Sequence, residues 1–110
     1  MKKTILMICL GFVATQVVAQ DPVPIKPRVL ISTDIGGTDP DDNQSMTHLL
    51  MYSDLIKLEG LVSSPSYGQG NKEEILRMIN LYEKDFPKLQ GHNKDLAEPD
   101  YLRSITKQGR

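Results

Sequence analysis

A short apolar run that ends in Asp and breaks into Gly-Gly constrains this chain most. Val29-Leu30-Ile31 lies between Pro27 and the loop Asp34–Asp42. It is too short for a helix and rich in β-branched residues, so it reads as a buried strand. Asp39, Pro40, Asp41 and Asp42 then form a helix start. Asp39 can cap, Pro40 suits the first helical position, and two acids meet the positive end of the helix dipole. Met46, Leu49, Leu50 and Ser53 fall on one face at helical spacing. Ile56–Ser63 alternates and then runs apolar, as a second strand does. Two strands joined by a helix imply parallel pairing through a right-handed crossover.

Asn71 caps a second helix with Glu73 and Glu74 in its first turn. Its inner face carries Ile75, Met78, Ile79, Tyr82 and Phe86, and Pro87 is expected to stop it. Glu98-Pro99-Asp100 opens a third helix carrying Leu102 and Ile105, expected to run to Gly109. The order strand, helix, strand, helix, helix predicts an α/β fold, the N-terminal part of a doubly wound, mainly parallel sheet. Two strands do not complete such a sheet, so 110 residues are expected to be part of a longer domain or a truncated product.

The first nineteen residues are expected to be no part of this fold. Lys2 and Lys3 precede the apolar run Ile5–Ala14, too short to span a bilayer, and Val17-Val18-Ala19 supplies a small residue before a cleavage point. A signal peptide over residues 1–19 makes the mature chain secreted or periplasmic, with no membrane contact after cleavage. Cleavage also removes Cys9, the single Cys, which leaves neither a disulfide framework nor a thiol nucleophile. Residues 20–27, with Pro22, Pro24 and Pro27, form an extended leader, and residues 28–110 form the domain. Net charge −1 without a basic block argues against a nucleic-acid polymer as partner.

The loop is where chemistry is expected. Asp34, Asp39, Asp41 and Asp42 crowd into Ser32–Asn43. Ligands bind beyond the carboxyl ends of parallel strands, where Asp34 stands, and Gly36 and Gly37 let the backbone turn and approach a ligand. Clustered carboxylates repel one another until a hard cation neutralises them, Ca²⁺ before Mg²⁺. A plain capping role explains Asp39, Asp41 and Asp42 but not Asp34 before Gly-Gly. An EF-hand register from Asp39 fails at Gln44 and Leu50. A sugar-kinase phosphate loop over Asp34–Thr38 fails because acids and Pro40 follow it, and acids repel phosphate.

Thr33-Asp34-Ile35-Gly36-Gly37, Asp39-Pro40-Asp41-Asp42-Asn43-Gln44-Ser45, Leu49-Leu50-Met51-Tyr52-Ser53 and Leu58-Glu59-Gly60-Leu61-Val62 together resemble the nucleoside hydrolase-like family. The nearest branch is the exported one sometimes described as cellulose-binding. The resemblance implies hydrolysis of the N-glycosidic bond of a riboside, with Ca²⁺ holding the attacking water. It assigns Asp34 as general base and Ca²⁺ ligand, Asp42 as a second Ca²⁺ ligand, and Asp41 as a ligand of sugar hydroxyls. Ser32 stands where the family signature begins with Asp, and the loop before the Asp pair is longer. The later loop that supplies an Asn to the sugar in the family reads Ser64-Pro65-Ser66-Tyr67 here, with no Asn before Asn71. Tyr67 is placed to stack on a sugar. His48 and His92 are read as helix-side and loop residues.

The expected partner is a small riboside or carbohydrate. A homo-oligomer is left open. A chain of this length lacks the rest of the ion's ligands and is expected to be inactive alone. The alternative is a carbohydrate-binding module of the same fold without catalysis.

Overall fold

The computed structural model describes residues 21–65 and 67–109; the expected signal peptide lies outside them. Asp21–Pro27 is exposed and forms no element. Six elements follow: β1 (Arg28–Thr33), α1 (Asp41–Met51), β2 (Lys57–Ser63), α2 (Lys72–His92), α3 (Pro99–Ser104) and β3 (Thr106–Gln108). The strands lie in the order β1-β2-β3, and both pairings are parallel. The architecture is α/β, as the strand-helix-strand pattern predicts.

Both crossovers step the same way across the sheet, and right-handed connections then place their helices on one face. α1 packs on α2, and α2 packs on α3, β2 and β3. Ile35, Met46, Leu50, Leu58, Leu61, Ile75, Ile79 and Leu102 fill the layer between. β2 is the middle strand, and Leu61 is fully buried within it.

β1 differs from the buried strand expected. It is an edge, alternately exposed along its length, and Leu30 is 65% exposed on the face away from the helices. There Leu30 lies over Gly60, where a side chain would come within 3.3 Å of it. A register shift between Val29 and Leu30 brings these two residues opposite each other.

The second difference is Pro87, which does not stop α2. The helix runs on to His92 because its apolar stripe runs on: Tyr82 and Phe86 are buried, and Leu89 packs against the same core. That burial outweighs the lost backbone bond and the clash with the carbonyl of Glu83. Pro87→Ala restores the bond at an exposed position. The change is expected to stabilise the chain by about 2 kcal/mol, read as a higher urea midpoint.

The third difference is β3. The expected third helix ends at Ser104, and the chain turns into a strand at Thr106. Thr106 is buried, and its hydroxyl donates to the Leu102 carbonyl at 2.7 Å. The Gln108 side chain accepts from the Lys72 N–H at 2.9 Å and donates to the Gly70 carbonyl, which ties β3 to the start of α2.

At the start of α1, Pro40 occupies the cap position with no side-chain cap bond, one residue earlier in the helix frame than expected. Asp39 still contributes, since its Oδ1 accepts from the Asp41 N–H at 3.3 Å. Ser53 lies past the end of α1. It is buried, and its Oγ accepts from the Ala97 N–H at 2.9 Å.

Candidate functional site

The carboxyl end of β1 and the amino end of α1 meet around an open cavity of about 450 Å³. Thr33, Asp34, Asp42, Ser45, Ser64 and Leu49 are among the residues that line it. Its location is the crevice beyond the strand ends where open parallel sheets bind ligands. Two features hold the loop between β1 and α1 in shape. Gly36 has φ of +95°, and a Cβ there would lie 2.5 Å from Asn71 Nδ2, so both backbone and space demand glycine. Ile35 drops its side chain into the core at 2% exposure and anchors the loop immediately after Asp34.

Asp34 and Asp42 stand side by side. The neighbouring Asp34 carboxyl is the main reason the pKa of Asp42 is raised above the ordinary carboxylate value. Partial burial and the charges of Asp34 and Asp41 push it the same way, while the Thr33 hydroxyl opposes them. Thr33 Oγ1 donates to Asp42 Oδ2 at 2.9 Å and accepts from the Ile35 N–H at 3.1 Å.

The other two sequence candidates lie outside this pair. Asp41 is exposed, and its Oδ1 accepts from the Asp42 N–H at 2.9 Å. Tyr67 is 93% exposed and is not among the residues lining the cavity. His48 and His92 are also exposed and away from the acids. Asn71 is engaged elsewhere, because its Oδ1 caps α2 by accepting from the Glu74 N–H at 3.2 Å.

Behind the acids, Asn43 Nδ2 donates to Glu74 Oε1 at 2.5 Å, which joins α1 to α2. Arg77 and Asn43 hold the Glu74 carboxyl below the ordinary value. Thr33, Ser45 and Ser64 are the cavity residues to which sequence reasoning assigned no role. The signal for Thr33 was its place two residues before an apolar anchor, where a hydroxyl bridges a turn.

A pair of carboxylates this close is a donor set for a hard cation, because two like charges at one place favour either a shared proton or a bound ion. Asp34 and Asp42 would supply two of the six to eight oxygens that Ca²⁺ takes. Among the described residues no group of three or more His, Cys, Asp or Glu side chains is gathered around one point.

The three-stranded parallel sheet with its helices matches a nucleoside hydrolase-like fold. Residues 28–110 match the family described as "Cellulose-binding Sde182, nucleoside hydrolase-like domain", and the chain belongs to that family. A solved structure from Saccharophagus degradans is similar, with a TM-score of 0.59 and 31% identity. It is described as a nucleoside hydrolase-related hypothetical protein associated with carbohydrate metabolism. The similarity covers 73% of this chain and 20% of that one, so this chain spans about a fifth of that structure. No curated protein matches the sequence.

Proposed function

We propose that this domain binds a riboside or related carbohydrate at the Asp34–Asp42 cavity. In the intact protein it hydrolyses the glycosidic bond with a water that Asp34 deprotonates, at a site where Asp34 and Asp42 would hold Ca²⁺. The observation that carries this is the pairing of Asp34 with Asp42 at the end of β1. Ca²⁺, when bound, would neutralise the pair and lower the pKa of a coordinated water.

The chain's own residues supply the rest. Asp34 accepts the proton of the attacking water as general base. Asp42 is held by Thr33 through Oδ2 and would be the second residue to hold the ion. Asp41, exposed one residue away and outside the cavity lining, is assigned to sugar hydroxyls on the family resemblance alone. The negative cluster stabilises the oxocarbenium character that develops as the base departs. A role on carbohydrate and the signal-peptide reading of residues 1–19 both support a location outside the cell. Among the described residues no helix is long and apolar enough to cross a membrane.

A second reading is favoured by one observation: the matching family is described as cellulose-binding. On that reading the domain binds a cellulose-like glycan and does not cleave it, in keeping with the family's description.

A Ca²⁺ titration followed by amide NMR tests the first reading, since it reads affinities as weak as millimolar. Shifts confined to residues near Asp34 and Asp42, absent from Asp42→Ala, are expected. A wild-type spectrum that does not respond to Ca²⁺ overturns the ion-dependent mechanism. Retention on cellulose by such a protein, with nucleosides left intact, establishes the second reading.

A further inference from the structure

We propose that Thr33 is a positioning residue: one hydroxyl fixes the Asp34 turn and the Asp42 carboxylate together, and so sets the spacing of the pair that meets the cation. The inference rests on the Ca²⁺ reading above and adds a residue to which that reading gives no part.

A threonine hydroxyl has one hydrogen to donate and lone pairs to accept with. The Ile35 N–H donates to Thr33 Oγ1 at 3.1 Å, so a lone pair on that side is engaged. The single hydroxyl hydrogen goes to Asp42 Oδ2 at 2.9 Å. Neither partner is free to wander. Ile35 is held by its buried side chain, and Thr33 is the last residue of β1, where its carbonyl accepts from the Ser64 N–H at 2.8 Å. The donor direction of the hydroxyl is therefore set by the backbone rather than by Asp42.

A second constraint is covalent. Asp34 lies between Thr33 and Ile35, so the bond from Ile35 back to Thr33 closes a tight turn around it. The same oxygen thus holds the backbone on both sides of one acid and the side chain of the other, eight residues on. Asp34 and Asp42 repel when both are ionised, and an unrestrained Asp42 would swing away. The Thr33 bond opposes that motion and takes only Oδ2 of Asp42, a residue that lines the cavity. Carboxylates that bind metals are held by such outer hydrogen bonds, and losing one typically weakens metal affinity 10- to 100-fold.

Two properties of Thr33 separate this role from ordinary packing. Thr33→Val keeps the branched shape suited to a strand end and removes only the hydroxyl. Thr33→Ser keeps the hydroxyl and removes only the methyl group.

The test is the amide NMR titration with CaCl₂ on the intact protein, comparing wild type, Thr33→Val and Thr33→Ser. Carbon-detected shifts of the Asp42 carboxyl are recorded without metal. Thr33→Val is expected to bind Ca²⁺ about 10- to 100-fold more weakly and to shift the Asp42 carboxyl signal, with Thr33→Ser within about threefold of wild type. If Thr33→Val does not fold, by far-UV circular dichroism, Thr33→Ala takes its place with the same expectation. Equal Ca²⁺ affinity in wild type and the hydroxyl-free variant overturns this inference alone. So does a Thr33→Ser variant as weak as Thr33→Val, because the hydroxyl then is not what matters. A wild-type chain that gives no Ca²⁺ response overturns the parent reading and this inference with it.

Discussion

Asp34→Asn in the intact protein is expected to lower nucleoside hydrolysis by about 100- to 10,000-fold while leaving the fold in place. The substitution keeps the shape of the side chain and removes its negative charge. A general base that has become an amide accepts no proton, and the remaining Asp42 is a poorer anchor for a divalent ion. Asp34 is exposed at the rim of the cavity and not in the core, so the melting temperature should move little. Steady-state turnover of a panel of ribosides, with circular dichroism as control, reads both quantities. Turnover equal to wild type would remove Asp34 from the chemistry. The 110-residue chain by itself is expected to show no turnover, since it spans about a fifth of the related structure.

Leu61→Ala is the second large effect. Leu61 sits in the middle strand at 0% exposure, under the helical layer, and its truncation leaves a void that neighbours fill only in part. A cost of about 2–5 kcal/mol is expected. Small domains are stable by only about 5–15 kcal/mol, and a chain of this size falls at the low end, so much of the population should unfold. Leu30→Ala is the matched control. The same chemical change at 65% exposure should cost far less. Urea denaturation of the two variants, followed by circular dichroism, gives the difference directly. Equal costs would mean that the helices do not cover β2 in the way described.

Where the sequence carried punctuation, the elements were legible. Pro27 and the Gly36-Gly37 break delimit β1, the acids after Pro40 open α1, and Asn71 caps α2 through the Glu74 N–H. β3 was not legible because nothing apolar marks it. Thr106-Lys107-Gln108 is polar and three residues long, and it is a strand because Leu61, Val62 and Ser63 offer it a parallel partner. The continuation of α2 past Pro87 was also hidden, because local chemistry argued for a stop and tertiary burial of Phe86 and Leu89 decided otherwise.

Position marked Asp34 at a strand end and three acids at a helix start, and the family resemblance chose Asp41 and Asp42 among them. That Asp41 and Tyr67 stand apart from the cavity did not follow. A helix turns neighbouring residues by about 100°, and a one-residue change in where α1 begins decides which acid faces inward. Thr33 was legible as part of a motif but not as an actor, because its two hydrogen bonds exist only once the loop has closed.

Among the described residues β1 pairs along one margin only, and this has a practical result. An extended segment of that kind, with an aliphatic residue such as Leu30 at 65% exposure, invites other polypeptides to stack against it. The charged neighbours Arg28, Lys57 and Glu59 are the barrier to such accretion, held together by an Arg28–Glu59 bond of 2.8 Å and a Lys57–Glu59 contact of 3.3 Å. Clouding of concentrated solutions should therefore worsen in salt, which weakens that electrostatic guard before it touches the interior.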